Sequence, residues 1–300
     1  MKRLTLIWTA AWCLMTVQAC SAQGPVFITV EEAGRDPDFA RQGEYVGNGK
    51  GIQVVALGEH KFRAVSFPGG LPGDGWTGAA PTAVEGVWEE IGSGLEGLKK
   101  TDRKSPTLGL QPPSDAVVLF DGTQSTFDKH WKPGTKMTDT GLLQQGATSL
   151  DTFGDFTLHL EFLLPYMPEA RGQKRGNSGC YLQGRYEVQM LDSFGLKTAD
   201  NECGGIYKAS APAMNMAFPP LSWQTYDIDF TAAKFDDAGK KIANARATVK
   251  HNGVVIHQDL ELPQQTPGGV LRTETSDLGP LFLQDHNDPV RYRNIWILTR

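Results

Sequence analysis

Apolar and polar residues alternate in short runs along most of this chain, and glycine, proline and asparagine separate the runs. Phe156, Leu158, Leu160 and Phe162 alternate with Thr157, His159 and Glu161, the period of a strand buried on one face. Tyr186, Val188 and Met190 alternate with Arg185, Glu187 and Gln189, and Leu281 and Leu283 with Phe282, Gln284 and His286. Residues 249–256 enclose Asn252-Gly253, a pair that favours the type I′ turn and so predicts a hairpin. Residues 295–298 predict a final strand. Nearer the N-terminus, residues 45–46, 52–57 and 61–67 predict a small meander, with turns at 47–49 and 58–60. Many short strands, few helical stretches and no internal repeat predict an all-β chain: a two-sheet sandwich or jelly roll behind a small N-terminal β module.

The breaks suggest the organisation. Residues 92–113 are rich in glycine, proline, serine and charge and read as a linker between a module over 23–91 and a larger domain over 114–300. The glycine–proline stretch 67–76 lacks the strand-then-helix setting of a phosphate-binding loop. At the start, Met1-Lys2-Arg3 is basic, residues 4–17 are almost wholly apolar, and small residues follow at Ala19, Cys20, Ser21 and Ala22. This predicts a secretory leader over 1–22, too short to span a membrane stably, and an exported protein, periplasmic or extracellular. Cleavage after Ala19 or Ala22 would free a soluble chain. Processing at Cys20 would leave a lipid anchor, although Gln18 fits such a site poorly. Of the four cysteines, Cys180 and Cys203 lie beyond the leader, either bridged, as export permits, or as two small buried apolar residues.

Composition narrows the partners. The 34 glycines and 18 prolines suit tight turns, and a net charge of −5 leaves no basic footprint for a nucleic acid. Walker, zinc-protease, paired Cys-x-x-Cys and Gly-x-Ser-x-Gly motifs are all missing from the sequence. The candidate chemistry therefore sits on strand faces. Glu187 and Gln189 project from one face, and a bulge at the strand end would turn Asp192 to the same side. Gln284 and His286 share a face of another predicted strand, and Glu161 points away from its apolar stripe. A carboxylate, an imidazole and amides on one sheet face suit sugar hydroxyls and general acid–base work, and equally a divalent metal. Each residue alone has a plainer reading: a solvated Glu187, a turn at Asp192-Ser193, His286 in a loop, Arg293 as an ion-pair partner, and Trp76, Trp131, Trp223 and Trp296 as core.

Together these residues form a familiar pattern. Gly176-Asn177-Ser178-Gly179-Cys180-Tyr181-Leu182, followed by Tyr186-Glu187-Val188-Gln189-Met190-Leu191-Asp192-Ser193, resembles the centre of the 3-keto-disaccharide hydrolase domain family. Gly205-Ile206-Tyr207, Ala211-Pro212 and Trp223-Gln224-Thr225-Tyr226 are similar to its middle part. Residues 279–286 and 289–297 resemble its C-terminal signature, and Val118-Leu119-Phe120-Asp121-Gly122 its opening strand. The resemblance runs in order from about Ser114 to Arg300. Residues 43–47, 67–73 and 103–109 resemble an accessory module that precedes this domain in planctomycete-like bacteria. Where Cys180 stands the family has an aliphatic residue, a difference in packing.

The resemblance implies a concanavalin A-like jelly roll that cleaves glycosides already oxidised at C3. The ketone acidifies the C2 proton; a base removes it, the aglycone leaves from C1, and water adds back. On that pattern Glu187 or His286 is the base. Asp192, Gln189 and Gln284 hold hydroxyls or a divalent metal, and Glu161, Asn177 and Tyr207 complete the substrate contacts. Two other readings stay open. One is a non-catalytic carbohydrate-binding jelly roll, since fold does not set function. The other is a conventional glycosidase using Glu187 and Asp192 as its carboxylate pair.

Overall fold

The computed structural model describes residues 24–300, so the expected leader, with Cys13 and Cys20, lies outside the described residues. Two short helices, α1 (Val30–Ala33) and α2 (Pro37–Arg41), lead into the first sheet. Its strands are β1 (Gly43–Gly47), β2 (Lys50–Ala56), β3 (Lys61–Pro68), β4 (Thr82–Val87) and β5 (Lys99–Thr101), in the order β4-β3-β2-β1-β5. Helix α3 (Trp88–Ser93) joins β4 to β5. The expected linker thus contributes a strand: Lys99, Lys100 and Thr101 pair antiparallel with β1.

The rest of the chain is a sandwich of two antiparallel sheets. The larger is built from β6 (Val117–Phe120), β7 (Leu143–Gln144), β9 (Phe156–Leu163), β12 (Trp223–Thr231), β15 (Ala245–His251), β16 (Val254–Leu262) and β18 (Arg291–Thr299). The smaller runs β11-β10-β17-β8, from β8 (Ala147–Phe153), β10 (Ser178–Leu182), β11 (Tyr186–Met190) and β17 (Gly279–Leu283). Helix α4 (Gln124–His130), a 3-10 turn at Gly172–Lys174, and a small ribbon of β13 (Lys234–Phe235) and β14 (Lys241–Ala243) complete the elements. The alternation read from the sequence explains the packing. Phe156, Leu158, Leu160 and Phe162 face Tyr186, Val188, Met190, Leu281 and Leu283 in one core. Each such side chain contributes about 1.5–3 kcal/mol by leaving water. Asn252 and Gly253 both take positive φ, 49° and 80°, as the tight hairpin requires. Cys180 and Cys203 are buried and unpaired.

The first sheet is tied to the sandwich by polar as well as apolar contacts. Glu44, 1% exposed, accepts from Arg103 Nε and Nη2 at 2.6 Å each, and the guanidinium lies 5.1 Å from the Phe218 ring. Tyr166 enters the core of the first sheet, stacks on Phe27, meets Phe39 at a tilt of 56°, and donates to Asp36 at 2.9 Å. Residues 105–109 then run along the outer face of the larger sheet. Ser105 bonds Thr225, Thr107 donates to Asp227, and the Gly109 N–H donates to Glu161. The segment read as a linker is therefore a strap with fixed partners.

Candidate active site

Period-2 alternation sends every second residue of β10 and β11 away from the core. Tyr181, Glu187 and Gln189 therefore stand on the outer face of the smaller sheet, behind Cys180, Val188 and Met190. Loops wall this face. Gln173 and Asn177 precede β10, Tyr207 follows β11, Pro267-Gly268 follows β16, and Gln284 and His286 follow β17; together they enclose about 110 Å³. At about 30 Å³ per water, that is room for roughly four waters, or for the reacting edge of one ring.

Glu187 dominates the pocket. It is 2% exposed and lies so close to β10 that a Cβ at Gly179 would sit 2.1 Å from its Oε1. Burial raises its pKa to about 7, and the Tyr181 hydrogen bond opposes only part of that rise. Tyr181 Oη lies 2.7 Å from Glu187 Oε2 and 2.8 Å from the Pro267 carbonyl. One hydroxyl proton serves one acceptor at a time. When Glu187 is ionised the phenol donates to it; when Glu187 is protonated the carboxyl donates to the phenol, which turns to Pro267. The loop comes this close because residue 268 is glycine, at φ +90°, where a Cβ would sit 2.5 Å from Tyr181 Oη.

Amides surround the carboxyl. Gln189 Nε2 lies 3.3 Å from Gln173 Oε1, and Gln284 Nε2 donates to Tyr181 Oη at 3.2 Å. Asn177, 1% exposed, donates through Nδ2 to Gln173, while its Oδ1 is buried without a partner. An unpaired buried acceptor beside a cavity is costly unless a ligand supplies a donor. His286 is exposed at the rim. It and Gln284 lie beyond the end of β17 rather than on the predicted strand. Asp288, bonded to the Asn177 N–H, and Gln284 N, bonded to Gly179 O, anchor their loop.

Six of the eight expected residues therefore line one pocket: Glu187, His286, Gln189, Gln284, Asn177 and Tyr207. Two do not. Asp192 lies past the end of β11, and its Oδ2 accepts from Arg175 Nε at 2.6 Å. The same guanidinium reaches the carbonyls of Ala56 and Pro168, so Asp192 serves the junction between the sheets. No bulge turns it toward Glu187, and a Glu187–Asp192 glycosidase pair is not assembled. Glu161 belongs to the other sheet, where it binds Arg293, Asn294 and the strap. Sequence reading missed Gln173, Tyr181, Pro267 and Gly268. Tyr181 was findable, because it shares the outward phase of its strand; the others come from loops.

As a metal site the pocket is thin. It offers one carboxylate and one imidazole, and among the described residues no group of three His, Cys, Asp or Glu gathers to hold an ion. The donors of this pocket do not form a dedicated cation cage.

Comparison with known proteins bears on the family and fold of the sandwich. Residues 115–298 match the sequence profile of the 3-keto-alpha-glucoside-1,2-lyase-like domain. A solved glycosyl hydrolase candidate from Parabacteroides distasonis ATCC 8503 is 34% identical over 63% of this chain and 85% of its own, with a TM-score of 0.56. A second from the same organism aligns over 62% of this chain and 94% of its own at 16% identity, with a TM-score of 0.44. No curated protein matches the chain.

Proposed function

We propose that this chain, which belongs to the 3-keto-alpha-glucoside-1,2-lyase-like family, cleaves 3-keto-glycosides by abstracting the C2 proton, with Glu187 as base. The observation that carries the reading is a carboxyl at the floor of the pocket, buried, balanced near neutral pH and free of any cationic partner in its hydrogen bonding. A base poised near the working pH gives the best compromise between being ionised and being strong enough to take a proton. The ketone at C3 delocalises the charge left when the C2 proton goes to Glu187. The resulting enolate expels the aglycone from C1, and water then adds to the unsaturated sugar. Tyr181 follows the proton, donating to Glu187 before the transfer and accepting from it afterwards. The orphan Asn177 Oδ1 receives a sugar hydroxyl, and Gln189 and Gln284 hold the ring. His286, at the rim, donates a hydrogen bond to the leaving oxygen, which takes its proton from water. A single buried carboxylate suits elimination, whereas direct glycoside hydrolysis uses two.

Export belongs to the same proposal. It rests on the basic–apolar–small pattern of residues 1–22. Among the described residues no helix is long and apolar enough to cross a membrane.

The test is incubation of the purified chain with a 3-keto-disaccharide and with its parent disaccharide, with and without EDTA, read by mass spectrometry. Cleavage of the keto sugar alone, abolished in Glu187→Gln, is the expected result. Cleavage of the parent sugar would overturn the elimination route. Binding without cleavage of either would make the chain a carbohydrate-binding module, and loss of activity with EDTA would add a metal.

A further inference from the structure

We infer that the chain carries a second saccharide site, in the cleft where the first sheet meets the sandwich, for a neutral oligosaccharide. This rests on the reading of the chain as carbohydrate-active but not on any catalytic role for Glu187. The cleft has a volume of about 570 Å³, within the ~300–1,000 Å³ of ligand sites, and such sites favour junctions of this kind. Its walls come from β2, β3, β4 and the loop before β4 on one side, and from residues 195–198 and 213–215 of the sandwich on the other. None of the residues proposed for catalysis lines it.

The lining sorts by chemistry. Phe67, Trp76 and Met214 supply an apolar floor. The Trp76 ring is held in place: it meets Phe67 edge-on at 5.5 Å and 78°, and its Nε1 donates to the Ala79 carbonyl at 2.8 Å. Its plane is thus preorganised, and the residue stays partly exposed. Polar groups stand at the margin. Gln53 is 3% exposed and spends its Nε2 on Glu44, which leaves Oε1 as the end available to the cleft. Arg63 engages Glu85 through Nε and Nη2, leaving Nη1, and Lys197 is exposed.

These features select the ligand. A wholly apolar molecule would cover the Gln53 oxygen and the Lys197 ammonium without replacing their water. An anion would meet Gln53 Oε1 and the Glu85 carboxylate that already neutralises Arg63. A sugar ring satisfies both parts of the lining: its C–H face lies on the aromatic floor, and its edge hydroxyls both donate to Gln53 and accept from Arg63 and Lys197. The small Glu187 pocket then works on one unit while the larger cleft holds a chain.

The experiment is calorimetric titration of the full chain with cello-, malto- and xylo-oligosaccharides, in the wild type and in Glu187→Gln, Trp76→Ala and Ala83→Trp. Ala83 lines the cleft from an exposed position on β4, so the last variant fills the site without removing core packing. Saturable binding is expected in the wild type and in Glu187→Gln. It should weaken ~10-fold or more in Trp76→Ala and Ala83→Trp, since buried aromatic anchors dominate recognition. Turnover of a keto-disaccharide should stay within about twofold in both cleft variants, as neither touches the reacting sugar. Undiminished binding in Ala83→Trp overturns the inference, and this variant decides the matter should Trp76→Ala fail to fold. A wild type that cleaves the keto sugar but binds no oligosaccharide also overturns it and leaves the catalytic reading standing. Binding that depends on Trp76 without any cleavage does the reverse.

Discussion

Two glutamates, on the outer faces of the two opposed sheets, show how much environment decides. Glu187 and Glu161 both occupy outward phases of alternating strands, and both are 1–2% exposed. Around Glu161 burial is outweighed by His159, Asn294, Arg293 and the Gly109 N–H, which hold its pKa down to about 2. Around Glu187 the phenol of Tyr181 is the one side chain opposing desolvation, and the pKa rises to about 7. The first is a permanent anion that ties the strap and β18 to the sheet. The second can gain and lose a proton near neutral pH. Burial alone does not make a carboxylate reactive; burial without compensating donors does.

Exchanging each for glutamine should separate the two roles. In Glu187→Gln, turnover of the keto sugar should fall by ~10²–10⁴-fold. Its urea-unfolding stability should stay within about 1 kcal/mol, because a costly buried acid has been removed. In Glu161→Gln, stability should drop by about 1–3 kcal/mol, a buried ion-pair loss discounted for the partly exposed Arg293, with turnover of the folded protein nearly unchanged. The reverse outcome, a stable inactive Glu161→Gln beside an unstable active Glu187→Gln, would exchange the assignments.

pH should pull the two sites in opposite directions. Glu187 has a folded pKa above its ordinary value of 4.5, so its contribution to stability is present below about 4.5 and is lost as pH rises through about 7. Glu161 has a folded value below 4.5, so its contribution is present above about 4.5 and is lost as pH falls toward about 2. Turnover, which needs ionised Glu187, should climb with pH to a plateau above about 7. Melting curves and rates measured across pH check both halves, and the alkaline loss of stability should flatten in Glu187→Gln. The smallest effect expected is in Tyr181→Phe. Removing the donor to Glu187 should move the rising limb of the rate profile to higher pH, with a loss of ~3–10-fold at neutral pH and recovery on the plateau.

Much of this architecture is legible in the sequence. The stripes of β9 and β11 and the Asn252-Gly253 hairpin are local signals, because a strand's phase and a turn's φ values are written in neighbouring residues. Most of the pocket was legible too, since Glu187 and Gln189 share one strand's phase. Asp192 was misplaced because its partner, Arg175, stands 17 positions earlier and captures it. Glu161 was misplaced because phase tells which face a residue takes on its own strand, not which sheet that strand joins. The strap looked like a linker because its serine, threonine and glycine bonds go to residues more than fifty positions away.

What the amino-acid sequence determined alone is the short-range content: strands, their buried stripes, the tight hairpin, and a set of polar side chains turned out of the core. What only the tertiary structure decided is the company each polar group keeps. Loops from four parts of the chain converge on Glu187 without bringing an ion pair to its carboxyl, while the strap, β18 and His159 converge on Glu161 and neutralise it. Electrostatic energies depend on distances across space and on exclusion of water, and neither is a property of neighbours along the chain.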